Sequence, residues 1–183
     1  MARVVSCLAC AAAIIAGSSC LATAQAAAPS IGPALLGGVP LGRSAAFYRS
    51  TLARPAQRAA DDDGFDRLLF PDLHLALLFE PGRDAAVGAI TWSPAAATAA
   101  AVGPCSPAAK LLAAYGGRLR KLGGSGAPAG ADGRAATVAY RLGRLIFVVV
   151  GGSVADVALL GSGVSAGPAL TAPRCAAAGR PKS

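Results

Sequence analysis

The residues able to perform acid–base or nucleophilic chemistry are few in this chain of 183 residues. His74 is the single histidine, and Glu80 is the single glutamate. A serine-histidine-aspartate arrangement needs its histidine in an exposed cleft, whereas His74 lies between two leucines in an apolar, strand-like stretch. A carboxylate pair for glycoside hydrolysis would have to use aspartates that lie in turn-like sequence. We therefore predict no catalytic residues and no enzyme activity.

No residue pattern in the sequence is typical of a metal or cofactor site. The acidic cluster Asp61, Asp62, Asp63 and Asp66 is typical of a solvated turn, because an EF-hand calcium loop needs a different spacing and a closing glutamate. One histidine and two distant cysteines do not provide the ligands of a zinc site. The glycine-rich phrases lack the lysine and Ser/Thr of a phosphate-binding loop. We predict neither a cofactor nor a metal.

Residues 1–26 have the pattern of a removable export signal. Arg3 gives a positive start, an almost wholly small or apolar stretch follows, and two small-x-small phrases predict cleavage near Ala24 or Ala26. We therefore predict a secreted, periplasmic or cell-envelope protein with no membrane span after cleavage. One alternative is an uncleaved membrane anchor. Another is lipid attachment at Cys20, which the preceding Gly-Ser-Ser disfavours.

Cysteine usage points to the same oxidising environment. Of the five cysteines, three lie within the predicted signal. The remaining two, Cys105 and Cys175, predict one disulfide bond, because thiols oxidise outside the cytoplasm. The alternative is two thiols acting in metal or redox chemistry, although the sequence has no Cys-x-x-Cys and no histidine near either cysteine.

The formal net charge of +8 favours anionic partners, among them the polymers of a cell envelope. Solubility and a compositional bias toward arginine are the alternative explanation. The densest basic group is Arg118, Arg120 and Lys121, and no aromatic residue is interleaved with it. We therefore expect no nucleic-acid binding.

Helical and strand-like patterns alternate along the rest of the chain. One helix is predicted after residue 41, with Ser44 as N-cap, and a second after residue 106, with Ser106 as N-cap and a proline at the first position. Three strands are predicted after each helix: 65–70, 73–79 and 86–92 in the first half, then 135–142, 144–150 and 154–160 in the second. The apolar run 73–79 predicts a strand buried on both faces.

The fold class predicted from this order is α+β, with two similar modules that are each a helix followed by a three-stranded antiparallel meander. The 23 glycines and 13 prolines agree with a fold rich in turns. The predicted parts are a signal at 1–26, a lead-in at 27–40, a first module at 41–93, a linker at 94–102, a second module at 103–160 and a flexible tail at 161–183.

Two similar phrases introduce the helices: Val-Pro-Leu-Gly-Arg-Ser at 39–44 and Val-Gly-Pro-Cys-Ser-Pro at 102–107. Hairpins follow, with phrases such as Val-Gly-Ala-Ile at 87–90 and Val-Ala-Asp-Val at 154–157. In this layout residues 31–160 resemble exported bacterial proteins of the β-lactamase inhibitory protein and SmpA/BamE types, which are built from tandem helix-plus-sheet modules. The resemblance implies a non-catalytic role in binding or assembly.

The predicted function is that of an exported, non-catalytic binding or assembly module of the cell envelope or extracellular space, with an exported or envelope protein as partner. Trp92 and Tyr48 are the candidate contact residues, because aromatic side chains anchor many protein interfaces. The alternatives are an exported hydrolase with an unrecognised site and a basic protein that adheres to anionic envelope polymers.

Overall fold

The computed structural model describes residues 31–60, 64–123, 137–167 and Cys175. The predicted signal, its cleavage points and Cys20 lie outside the described residues, as do the acidic turn at 61–63 and most of the predicted tail. Within the described residues, no helix is both long enough and apolar enough to cross a membrane.

The described residues form two short α-helices, ten strands and two single-turn 3-10 helices, Pro71–Leu73 and Gly116–Arg118. A two-stranded ribbon of β1 (Leu35–Leu36) and β2 (Val39–Pro40) precedes the first helix, α1 (Ala45–Leu52). Four strands follow it: β3 (Gln57–Ala60), β4 (Asp66–Phe70), β5 (Leu75–Phe79) and β6 (Ala86–Thr91). The second helix, α2 (Ala108–Tyr115), precedes β7 (Arg120–Gly123), β8 (Thr137–Leu142), β9 (Leu145–Val150) and β10 (Ser153–Leu160).

The eight strands from β3 to β10 form one antiparallel sheet, in the order β3-β4-β5-β6-β10-β9-β8-β7. The first four strands make up one half of this sheet and the last four the other, and the halves join where β6 pairs with β10. This pairing runs from Thr91 opposite Val157 to Gly88 opposite Leu160. Because ladder hydrogen bonds cross the junction, the two halves share a single sheet.

The predicted fold class is wrong: the described chain is mostly β and does not consist of two helix-plus-three-strand modules. The two helices and six of the strands lie close to their predicted positions. The strands β3 and β7 were not predicted, because neither sequence alternates apolar and polar residues. Their sequences are Gln-Arg-Ala-Ala and Arg-Lys-Leu-Gly. Both are edge strands, where charged residues are common. The strand β6 belongs to the first expected module and β10 to the second. Because these two strands pair, the strands of both expected modules form one continuous sheet.

The two helix starts are built differently. The Ser44 hydroxyl accepts a hydrogen bond from the Phe47 N–H at 3.1 Å, so the predicted N-cap of α1 is confirmed. The prediction that Ser106 caps α2 is wrong, since Pro107 takes that position and makes no side-chain hydrogen bond. The Ser106 hydroxyl instead accepts from the Gly103 N–H at 3.1 Å and stabilises the loop before the helix.

Apolar side chains cover both faces of the sheet. Tyr48 of α1 and Leu111 of α2, both fully buried, pack on one face. A second cluster on the other face includes Leu78, Ile90 and Ile146, which are also fully buried. All residues of β5 are buried, so the prediction of a strand buried on both faces is confirmed for residues 75–79. It is wrong for the first two residues of the predicted strand, because Leu73 ends a 3-10 helix and His74 is exposed.

The Tyr48 hydroxyl links α1 by hydrogen bonds to the segment that precedes the helix. It donates to the Pro40 carbonyl at 2.5 Å and accepts from the Arg43 N–H at 3.2 Å. Burial raises the pKa of this hydroxyl above its ordinary value of 10.0, and the hydrogen bond and charge of Arg43 oppose the shift in part. The folded state holds this proton more tightly than the unfolded chain does. The protonated Tyr48 hydroxyl therefore contributes fully to the free energy of unfolding below about pH 10, and its contribution declines as the pH rises through the pKa of the folded state.

We expect Tyr48→Phe to lower the free energy of unfolding by about 1–2 kcal/mol at neutral pH, because it removes two hydrogen bonds from a buried site. The variant should also lose part of the alkaline decline in stability, since it has no hydroxyl to titrate. Urea unfolding at neutral pH and at intervals into the alkaline range measures both effects. The control is Tyr140→Phe, whose hydroxyl makes no hydrogen bond in the described structure. Identical alkaline declines in wild type and Tyr48→Phe would contradict the prediction.

Cys105 and Cys175 are placed as a disulfide pair, with their sulfur atoms at bonding distance and their Cα atoms 5.7 Å apart. Both lie at the bulge of β10, which falls between Val154 and Asp156. The Cys105 N–H donates to the Val154 carbonyl and the Cys175 N–H to the Ala155 carbonyl, each at 2.8 Å. The pair therefore joins two segments, 70 residues apart in sequence, at one point of the sheet.

Candidate functional site

The turns at one end of the sheet enclose a groove, which we call the arginine groove. It consists of two adjacent cavities of about 480 and 360 Å³, and each lies within the size range of small-ligand sites. Arg144, Gly161, Ser162 and Val164 line both cavities, so the two spaces adjoin along these residues. The groove lies at the β6–β10 junction, between the β5–β6 turn and the β8–β9 turn.

Two glycines allow the backbone segments of the groove to come close together. The Gly161 N–H donates to the Val87 carbonyl at 2.7 Å, which extends the β6–β10 pairing past the last residue of β10. A Cβ atom on Gly161 would lie 2.7 Å from that carbonyl oxygen, too close for a side chain. Gly143 has a φ of 61° at the first position of the two-residue β8–β9 turn, as type II′ hairpins require. This turn places Arg144 beside the end of β10.

Arg144 is held against β10 by two hydrogen bonds. Its carbonyl accepts from the Leu160 N–H at 3.1 Å, and its Nε donates to the Leu160 carbonyl at 3.0 Å. The side chain is exposed, and its terminal nitrogens remain available to other acceptors. Within the described residues, no carboxylate pairs with this guanidinium.

Arg141, near the end of β8, carries a second charge, for which the described residues provide no carboxylate partner. Its side chain is half-buried and lines the smaller cavity, and its Nε is buried with no hydrogen-bond partner among those residues. Its register partner on β7 is Arg120, and like charges directly opposite each other destabilise a sheet. The Nε atom of Arg141 is thus withdrawn from water with no compensating hydrogen bond among the described residues, and this costs free energy. An anion in the groove would offset this cost.

The larger cavity is the more apolar of the two. Leu41 and Val87 line the larger cavity next to Arg144. Arg83 also lines this cavity, but it forms an ion pair with Glu80 at 3.0 Å, so these two charges neutralise each other. Both arginines without a carboxylate partner therefore line the smaller cavity, whereas only Arg144 of the two also lines the larger one.

The two aromatic residues predicted as partner contacts do not line these cavities. Tyr48 is fully buried between α1 and the sheet and has no surface to offer a partner. Trp92, just after β6, is half-buried and contacts His74 edge to face, with ring centroids 6.0 Å apart. His74 lies just before β5, at the end of that strand remote from the groove.

Residues 163–167 have the form Gly-x-Ser-x-Gly, in which α/β-hydrolases present a nucleophilic serine, and sequence reasoning missed this phrase. Its Ser165 lines the smaller cavity. A nucleophilic serine needs a base within hydrogen-bond reach. His74 lies at the far end of the sheet, and in the described structure no side chain hydrogen-bonds to the Ser165 hydroxyl. The geometry thus gives the groove a hydroxyl without an activating base among the described residues.

In the part of the chain that the structure describes, no group of three or more metal-ligating side chains comes together. The resemblance to β-lactamase inhibitory protein and SmpA/BamE-type proteins rests on the sequence pattern alone. No protein-family model, curated protein or solved structure matches this chain.

Proposed function

We propose that this chain is an exported, non-catalytic binding protein and that the arginine groove is its contact site. The observation that carries the proposal is the presence of Arg141 and Arg144 in a ligand-sized groove, with no carboxylate partner for either among the described residues. Arg141 is half-buried, and cationic side chains that are withdrawn from water are normally paired. A binding protein leaves such charges available for its ligand.

The proposed location outside the cytoplasm rests on two features. One is the signal-like pattern of residues 1–26. The other is the placement of Cys105 and Cys175 at disulfide distance, because a structural disulfide persists in oxidising compartments and is rare where thiols are kept reduced.

The backbone around the groove is already held in place, which favours binding. Gly161, which lines both cavities, is hydrogen-bonded through its N–H to the Val87 carbonyl. On the apolar side, the Gly42 N–H donates to the Ala86 carbonyl at 2.9 Å, and the Ala86 N–H donates to the Arg43 carbonyl at 3.0 Å. A preformed groove avoids much of the entropy cost of ordering loops around a ligand.

Capture of partners from the native envelope and culture fluid tests the proposal. The tagged, oxidised protein would be compared with the groove variant Arg141→Gln/Arg144→Gln. The control variant Arg49→Gln/Arg58→Gln removes the same charge from exposed positions outside the groove. We expect the wild type and the control to retain one saturable component at moderate salt, and the groove variant to lose it.

Several outcomes would contradict the proposal. Capture of nothing would remove the evidence for a binding role, and equal capture by the groove variant would place the contact elsewhere. Recovery of anionic polymer alone, lost from wild type and control on adding salt, would favour adhesion by net charge. Turnover of a hydrolase substrate that is abolished by changing His74, Glu80 or Ser165 would establish an enzyme.

A further inference from the structure

We infer that the ligand of the arginine groove is an amphipathic oxyanion, with a carboxylate or phosphate head at Arg141 and Arg144 and an apolar body along Leu41 and Val87. This inference rests on the proposed function and names its ligand class. It follows from the unequal lining of the two adjoining cavities: both arginines line the smaller one, and the larger one is the more apolar of the two.

The smaller cavity suits the head group. Arg141 and Arg144 both line it, together with the hydroxyl-bearing Ser162 and Ser165. Guanidinium groups bind carboxylate and phosphate oxygens through two parallel hydrogen bonds. The bond from the Arg144 Nε to the Leu160 carbonyl fixes the middle of that side chain, so its terminal nitrogens are oriented in advance. Two arginines with uncommitted donors therefore line one cavity.

The larger cavity suits the apolar body. Leu41, Ala86, Val87 and Val164 contribute to its lining. Arg83 and Glu80, which also line it, are paired with each other, so this space adds little net charge beyond that of Arg144, which both cavities share. Residues shared by the two cavities join the charged space to the apolar one. A single molecule with one charged end can occupy both.

The stability of the ligand-free protein distinguishes a binding role for Arg141 from a structural one. In a structural role, removal of the side chain would destabilise the fold. Here the Nε has no hydrogen-bond partner among the described residues and the like-charged Arg120 lies opposite on β7, so no described contact of this charge stabilises the fold. We expect Arg141→Met to be at least as stable as the wild type without ligand, and to bind the ligand more weakly.

Titration calorimetry with defined probes tests the inference, on oxidised protein purified from cells expressing the full-length chain. The probes are octyl phosphate, octanoate, inorganic phosphate and octyltrimethylammonium. We expect at least one of the two octyl anions to bind at least about tenfold more tightly than inorganic phosphate, and the cation not to bind. Arg141→Gln should weaken this binding by about tenfold or more, whereas Arg49→Gln should leave it unchanged. The preferred octyl anion shows whether the head is a carboxylate or a phosphate.

Four results would overturn the inference: no binding of either octyl anion, equal binding of inorganic phosphate, equal binding of the cation, or unchanged affinity in Arg141→Gln. Its failure is distinguishable from failure of the proposed function. If the groove-dependent capture succeeds while the octyl anions do not bind, the protein is a binding protein with a ligand of another class. If both experiments fail, the groove is not a binding site.

Discussion

Replacement of Cys175 by serine is expected to lower the free energy of unfolding of the oxidised protein by about 4 kcal/mol. The cysteine pair encloses 70 residues, and a cross-link over a loop of that length removes conformational entropy from the unfolded chain. A loss of this size is a large fraction of the roughly 5–15 kcal/mol that stabilises a typical domain. Denaturant unfolding with and without reductant measures it.

Reductant supplies the control for Cys175→Ser. It should lower the stability of the wild type to that of the variant and leave the variant unchanged. Hydrogen exchange adds a local measurement, because the Cys105 N–H donates to Val154 and the Val154 N–H donates to Ser106, both at 2.8 Å. These amides should exchange faster in the variant. Two alkylatable thiols in the native wild type would show that the predicted disulfide is wrong.

The strands inside the sheet could be predicted from sequence because burial imposes an apolar pattern on each of them. The residues of β5, Leu-Ala-Leu-Leu-Phe, and of β9, Leu-Ile-Phe-Val-Val-Val, are examples. The edge strands β3 and β7 carry no such pattern, because their stability comes from pairing with β4 and β8. The β6–β10 pairing is a contact between distant segments that no local pattern encodes. Element positions were therefore predictable, whereas the order of the sheet was not.

The arginine groove could not be predicted for the same reason. Its lining comes from residues near 40, 80–87, 141–144 and 160–165, which only the sheet brings together. One local signal was present, since Arg141 is the single charged residue of β8. The sequence also could not show whether Tyr48 is a contact residue or a core residue, because an aromatic side chain suits an interface and a core equally well. Only the folded chain shows that Tyr48 is completely buried.

Gly103→Ala is expected to lower the free energy of unfolding by about 3 kcal/mol, through overpacking of a buried loop. A Cβ atom at this position would overlap the carbonyl oxygen of Ala96 and lie 3.2 Å from the Cα of Ala97. These neighbours belong to the backbone, so no side-chain rotation relieves the contact. The whole loop would have to move.

The hydrogen bonds of this loop oppose such a movement. The Thr98 N–H donates to the Val102 carbonyl at 2.9 Å, and the Tyr115 hydroxyl donates to the Thr98 hydroxyl at 2.8 Å, which ties the loop to α2. The matched control is Gly116→Ala, where an added Cβ meets no atom within 4 Å, and we expect its stability to match the wild type. Urea unfolding compares the three proteins. Equal stabilities for Gly103→Ala and Gly116→Ala would contradict the prediction. They would mean that the loop can accommodate the added methyl group without loss of stability, and that its close packing does not require Gly103.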